Sequence, residues 1–222
     1  MKNISSTAII IVSIVIGLVF LLVLANSAKQ SVKPVTLPVT VEEWGDFQCP
    51  ACGAYYSVVK NLKTEFGSDL KVVFKHFPLT TIHQYAYDAA LASEAAREQG
   101  QFDAYHDKLY ENQDHLTTDD LVKYATDLKL DVTKFKADMA SAVIKARVDA
   151  DVSEGNNRGI GATPTFYVDG TIVVLSSSNN ESPDKILERL IKEEIDKAKA
   201  QITATVTPSV TSTPTVSVAP TK

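Results

Sequence analysis

Hydrophobic and polar positions along the middle of the chain form alternating and helical patterns in turn. Residues 39–44 and 70–75 alternate and are rich in β-forming side chains, which predicts two strands. Between them, residues 49–66 carry apolar side chains at helical spacing, which predicts a helix. A β-α-β unit of this length is typical of two parallel strands joined by a crossover helix.

A block of helical patterns follows the second predicted strand. Residues 85–99 are rich in alanine and other strong helix formers, residues 101–112 have one apolar face, and a further helix begins at Thr118. Asp131 can cap one more helix, whose apolar residues are expected to be Phe135, Met139, Val143 and Ala146. We interpret the aromatic and methionine side chains of this block as packing residues rather than as a cofactor site.

The chain then returns to β structure. Residues 165–168 and 171–175 flank Asp169-Gly170, a pair suited to the positive φ angles of a two-residue hairpin turn. Ser182-Pro183-Asp184 has the hydroxyl cap, first-turn proline and early acid of a helix start. The predicted order of elements is therefore β-α-β, a helical block, and β-β-α.

Both ends of the chain differ from this middle part. After the short segment 1–7, residues 8–25 are almost wholly apolar, long enough to cross a bilayer as a membrane anchor. A cleaved signal segment is the alternative, since small residues follow; either one predicts export of the remaining chain. Residues 26–38 have the composition of a linker, and residues 201–222 that of a disordered Thr/Ser/Pro/Val tail.

Composition narrows the functional classes. The chain has 222 residues, of which 45% are hydrophobic and 22% charged, as expected for one core-forming domain, here residues 39–200. A net charge of -5 gives no electrostatic basis for nucleic-acid binding. Only two cysteines are present, which excludes a multi-disulfide scaffold.

These two cysteines form Cys49-x-x-Cys52 where the first strand gives way to the first helix. A helix N-terminus stabilises an anion, so a thiol at Cys49 should ionise easily and attack disulfides. Cys52, one helical turn later, can attack a mixed disulfide at Cys49. A structural crosslink is an alternative, but so short a loop contributes only about 2 kcal/mol. A zinc site would need about four ligands, and no two of the histidines form a clear ligand pair.

Three separated segments together resemble the DsbA-like thiol–disulfide oxidoreductases of the thioredoxin superfamily, most closely membrane-anchored extracytoplasmic bacterial members. The resemblance covers residues from about 39 to 200. The segments are Glu43-Trp44-Gly45-Asp46-Phe47-Gln48-Cys49-Pro50-Ala51-Cys52, Lys75-His76-Phe77-Pro78-Leu79 and Gly159-Ile160-Gly161-Ala162-Thr163-Pro164-Thr165-Phe166. The resemblance implies an α/β thioredoxin fold with a helical insertion at about residues 82–155.

The resemblance also implies roles for single residues. Cys49 would be the nucleophile and Cys52 the resolving thiol, and the two would form the redox-active disulfide. Pro164, after Thr163, would be the cis-proline whose loop lies against the cysteines and binds extended substrate. Glu43 would be the buried acid beneath the disulfide that relays a proton for Cys52.

Pro50 and Ala51, between the cysteines, would tune the redox potential. Ala51 differs from the histidine of the best-known oxidants of the family, so the oxidising strength is open. The expected activity is disulfide introduction into unfolded exported proteins with thiols, with a separate redox partner that reoxidises the cysteines. It needs no bound cofactor or metal. A reductase or isomerase using the same site, and a non-catalytic binding or chaperone module, remain alternatives.

Overall fold

The computed structural model of the protein describes residues 36–175 and 181–206. Their strands form one mixed sheet in the order β2-β1-β3-β4, in which β1 and β2 are parallel and the other pairs are antiparallel. The strands are β1 (Val39–Gly45), β2 (Leu70–His76), β3 (Thr165–Val168) and β4 (Thr171–Ile172). The predicted parallel pair and the predicted hairpin are both confirmed.

The first helix, α1 (Pro50–Phe66), follows β1, and a short 3-10 turn at Gly67–Asp69 connects the helix to β2. Its apolar positions Val59 and Leu62 are buried, and they pack against the sheet. This arrangement follows from the helical spacing of the apolar residues, which gives the helix one face to bury.

Five helices lie between β2 and β3 and form the predicted helical block. Their bounds are α2 (Ala86–Arg97), α3 (Phe102–Tyr110), α4 (Thr118–Asp127), α5 (Val132–Met139) and α6 (Ala142–Asn157). Thr117 and Asp120 cap α4 reciprocally, and Asp131 caps α5 as predicted.

The prediction of one continuous helix after Asp131 is wrong. The helix stops at Met139, and Ser141 caps a new one by accepting a hydrogen bond from the Val143 N–H group. This break changes the phase of the apolar face, so that Val143 is 68% exposed. Ile144 and Val148 are the buried residues of α6 instead.

The hairpin turn has the expected geometry, with φ of 47° at Asp169 and 83° at Gly170. β4 is shorter than predicted, although the Val173 N–H group still donates to Phe166 O at 2.8 Å. The last helix, α7 (Pro183–Val206), begins at the predicted proline. It continues six residues into the range predicted to be a disordered tail, because residues 201–206 contain neither proline nor glycine.

Two main clusters of buried side chains lie around the sheet. One cluster joins sheet residues such as Val41 and Phe166 to apolar residues of α7. The other contains Cys49, Cys52 and residues of the helical block, including Tyr105 and Tyr110. The helical block therefore supplies the core around both cysteines.

In residues 36–175 and 181–206, no helix combines the length and apolarity needed to span a membrane. The predicted membrane segment 8–25 lies outside these ranges, as do most of the predicted linker 26–38 and the rest of the tail beyond 206.

Candidate active site

Cys49 is the N-cap residue of α1, with φ of -75° and ψ of 120°. Pro50 occupies the first helical position, where its missing N–H group costs no hydrogen bond. Cys52 lies one turn into the helix and is completely buried, whereas Cys49 is 6% exposed. Both cysteines are free thiols in this structure. The predicted placement of the pair at the strand–helix junction is confirmed.

The pKa of Cys49 is lowered from 9.0 to about 5. A hydrogen bond from the Cys52 thiol is the largest cause; burial opposes it, and Thr163 and the N–H groups of Cys52 and Ala51 support it. The pKa of Cys52 moves strongly upward, because it is the donor to Cys49 and because it is buried. At neutral pH, Cys49 is therefore the thiolate and Cys52 the thiol.

A loop 114 residues away in sequence closes over the nucleophile. The Thr163–Pro164 peptide bond is cis, and the carbonyl oxygen of Thr163 lies 3.4 Å from the sulfur of Cys49. The expected cis-proline and its position against the cysteines are both confirmed.

Glu43 lies in the middle of β1, between Phe74 of β2 and Phe166 of β3. Its side chain is buried, and its Oε1 atom has no hydrogen-bond partner in the described part of the chain. Burial raises the pKa of Glu43 to about 8, while the positive charge of Lys63 opposes the rise. Glu42 faces the other side of the strand and pairs with Arg158 at 2.6 Å. Glu43 is therefore a buried acid, as predicted.

Gln113, which follows the helix α3, holds the backbone of the cysteine loop. Its side-chain amide donates to Phe47 O at 2.9 Å and to Cys49 O at 2.8 Å. Sequence reasoning did not identify this residue, because no motif or periodicity links it to the cysteines.

Asp46 is a second residue that sequence reasoning did not identify. Its buried carboxylate accepts hydrogen bonds from the N–H groups of Gln48 at 2.7 Å and Leu79 at 2.8 Å. The His83 ring also donates to it, at 2.7 Å from Nδ1. Because the main-chain oxygen of Asp46 accepts from Cys49 N at 3.1 Å, this carboxylate fixes the approach to the nucleophile.

His76, a buried histidine, is paired with an acid as well. His76 Nε2 lies 3.0 Å from Glu94 Oε1, and Arg97 and Arg147 also donate to Glu94. These contacts bring the pKa of Glu94 to about 2, although burial opposes the shift. Among the residues with a described position, no group of three or more His, Cys, Asp or Glu side chains could hold a metal ion.

A family model described as Thioredoxin matches residues 36–193. Among curated proteins, the chain is 39% identical over 155 residues to the Na(+)/H(+) antiporter NhaA 3 of Salinispora tropica. The match includes 69% of this chain but only 24% of the antiporter. The chain thus spans about a quarter of the length of the curated relatives it matches.

Solved structures agree with the family match. BdbD from Bacillus subtilis is 25% identical, with a TM-score of 0.61 over 74% of this chain and 93% of that protein. A thioredoxin-like oxidoreductase from Silicibacter pomeroyi has the same fold, with a TM-score of 0.60 at 23% identity, over 73% of this chain and 87% of that one. The chain therefore belongs to the thioredoxin family, and among its members it resembles the DsbA-type thiol–disulfide oxidoreductases.

Proposed function

We propose that the chain is an extracytoplasmic thiol–disulfide oxidoreductase that introduces disulfide bonds into exported proteins. The observation that carries this proposal is the pKa of Cys49, about 5, at a helix N-terminus beside the Thr163–Pro164 backbone. A thiolate stabilised in this way favours the reduced pair, which makes the Cys49–Cys52 disulfide a stronger oxidant. The low pKa therefore supports the oxidative direction over a reductase or isomerase activity.

Oxidation begins when a substrate thiolate attacks the sulfur of Cys49 in the Cys49–Cys52 disulfide. A substrate–Cys49 disulfide forms, and Cys52 leaves as a thiolate that takes a proton from Glu43. A second substrate thiolate then attacks the substrate sulfur of this mixed disulfide and releases the Cys49 thiolate. The substrate has lost two electrons as its disulfide forms, and the enzyme pair has gained them. Because Thr163 presents its backbone beside Cys49, an extended substrate segment can pair there.

A redox partner has to remove these two electrons from Cys49 and Cys52. We propose a membrane-bound or soluble protein whose own disulfide exchanges with Cys49.

Pro50 and Ala51, both exposed at the start of α1, are positioned to tune the reduction potential of the cysteine pair. The exchange takes place between sulfur atoms, so no bound cofactor is required.

We further propose that residues 8–25 anchor the protein in the cell membrane, with the catalytic domain on the extracytoplasmic side. Their almost unbroken apolar composition supports an anchor, and disulfides persist in that compartment. Expression of the full chain, followed by membrane extraction and protease treatment of intact cells, tests this. A domain that stays with extracted membranes and is cleaved from outside supports the anchor; recovery of a shortened chain in the medium supports a cleaved signal.

The activity is tested by incubating the oxidised protein with a reduced, unfolded protein that contains several thiols. We expect the wild type to form substrate disulfides, Cys49→Ser to form none, and Cys52→Ser to accumulate substrate-linked mixed disulfides. The reduction potential is measured against glutathione in parallel. Unimpaired activity of Cys49→Ser would favour a binding or chaperone module. A potential near that of cytosolic reductants would favour a reductase.

A further inference from the structure

Tyr110, the last residue of α3, brings a phenol group into the redox centre. Its ring lies 5.1 Å from that of Phe47 and 5.5 Å from that of Tyr56, measured between centroids. Its hydroxyl is buried and has no hydrogen-bond partner in residues 36–175 and 181–206. Tyr105, on the same helix, instead donates its buried hydroxyl to Leu121 O at 2.7 Å. A buried hydroxyl without a partner is unfavourable, so the one on Tyr110 needs an explanation.

The surroundings of this hydroxyl point to Glu43. A Cβ atom added at Gly45 would lie 3.0 Å from the hydroxyl oxygen of Tyr110, so the phenol lies directly over Gly45. Glu43 and Gly45 are two residues apart on β1 and therefore face the same side of the sheet. Glu43 Oε1 is also buried and without a partner. Two incompletely bonded polar groups thus lie on one face, in the core region that contains Cys52.

The pKa of Tyr110 agrees with a position of its hydroxyl near Glu43. The pKa of Tyr110 is raised well above its ordinary value, first by burial and then by Cys52, Glu43, Asp46 and Cys49, in that order. The phenol therefore stays protonated and can donate. Glu43 also borders a cavity of about 220 Å³, whose lining includes Lys63 of α1 and Asp103, His106 and Asp107 of α3.

We propose that Tyr110 is a positioning residue whose hydroxyl donates a hydrogen bond to the Glu43 carboxyl group through one buried water and orients it toward Cys52. This inference rests on the proposed thiol–disulfide exchange. When Cys52 resolves a mixed disulfide, Glu43 accepts the Cys52 proton, a bond forms between the sulfurs of Cys52 and Cys49, and the bound thiolate leaves. A donor to Glu43 favours the carboxylate, so its removal raises the pKa of Glu43.

The test separates the two thiol reactions by mixing the reduced protein with one equivalent of the aromatic disulfide dithiobis(nitrobenzoate). The first thionitrobenzoate released reports the attack by Cys49, and the second reports resolution by Cys52. In Tyr110→Phe the first phase should be unchanged. The second should be about tenfold slower at neutral pH, as expected if the pKa of Glu43 rises by about one unit. Its pH midpoint should move upward from about 8.

Tyr105→Phe is the matched control, because it removes another buried hydroxyl from the same helix. It should lower stability yet leave both phases and the pH midpoint unchanged. The proposal is overturned if Tyr110→Phe has the wild-type second phase and midpoint, or if both variants change them equally. Failure of the proposed function looks different, since the wild type itself would then lack the first phase or would not oxidise thiol substrates.

Discussion

His83 Nδ1 lies 2.7 Å from Asp46 Oδ2, and this contact links the loop before α1 to the loop after β2. The pair is 37 residues apart in sequence. The same carboxylate oxygen accepts from Leu79 N, and the other oxygen accepts from Gln48 N. Since Cys49 N donates to Asp46 O, the nucleophile depends on a carboxylate held by three donors from two loops.

Replacing this carboxylate by Asp46→Ala should lower the free energy of unfolding by about 2–4 kcal/mol, because three partly buried donors lose a buried charged acceptor. Urea denaturation of the reduced protein measures the change. Asp114→Ala, at an exposed carboxylate, is the control and should stay within about 0.5 kcal/mol of the wild type. Equal stabilities for the two variants would contradict the structural role given to Asp46.

The low pKa of Cys49 depends first on the hydrogen bond from Cys52. Cys52→Ala removes this donor, so the pKa of Cys49 should rise from about 5 toward that of an ordinary thiol. Iodoacetamide alkylation of Cys49 as a function of pH measures the midpoint. Cys52→Ser keeps a hydroxyl donor and should give a midpoint between those of the wild type and Cys52→Ala. A midpoint that is the same in all three proteins would exclude Cys52 as the main cause.

Much of the fold could be predicted because local patterns determine it. Alternating apolar and polar residues predicted β1 and β2, and the Asp169-Gly170 pair predicted the hairpin turn. The proline at position 183 predicted the start of α7. The break at Ser141 was missed because no glycine or proline marks it; a serine cap was enough to restart the helix. The helical conformation of residues 201–206 was missed because the composition of residues 201–222 suggested a tail.

In the candidate site, too, the residues that could be predicted are those with a local sequence signal. Cys49, Cys52, Glu43 and the Thr163–Pro164 pair lie in segments whose residues resemble a known family. The structure places Thr163 against Cys49 and buries Glu43 in β1. Contacts made across the fold carry no such local signal, so Tyr110, Gln113 and the Asp46–His83 pair required the three-dimensional structure. Tyr110 in particular was predicted only as a packing residue, because helical spacing explains its ring but not the location of its hydroxyl.

The raised pKa of Glu43 predicts a specific pH dependence of stability. The folded protein keeps this proton up to about pH 8, whereas the unfolded chain releases it near 4.5. The stability that the folded protein gains by holding this proton is therefore complete below about pH 4.5 and is lost as the pH rises through about 8. Relative to Glu43→Gln, wild-type stability should fall by about 3–5 kcal/mol over this range.

Denaturation of both proteins at several pH values tests this prediction. Glu42→Gln is the matched control, because it changes the neighbouring carboxylate on the other face of β1 and should preserve the pH dependence of the wild type. If wild type and Glu43→Gln had parallel stability curves between pH 4.5 and 8, Glu43 would not be a buried, protonated acid in the folded protein.

Gly45 makes room for the side chains of Phe74 and Tyr110. A Cβ atom at this position would lie 2.6 Å from Cζ of Phe74 and 3.0 Å from the hydroxyl of Tyr110. Gly45→Ala should therefore lower the free energy of unfolding by about 1–3 kcal/mol through overpacking. Because the methyl group displaces the Tyr110 hydroxyl, the release of thionitrobenzoate by Cys52 should also slow down. The Cβ atom added in Gly161→Ala would have no neighbour within 4 Å, so this variant should reduce neither stability nor this rate. Equal behaviour of the two alanine variants would contradict the close packing of Tyr110 on β1.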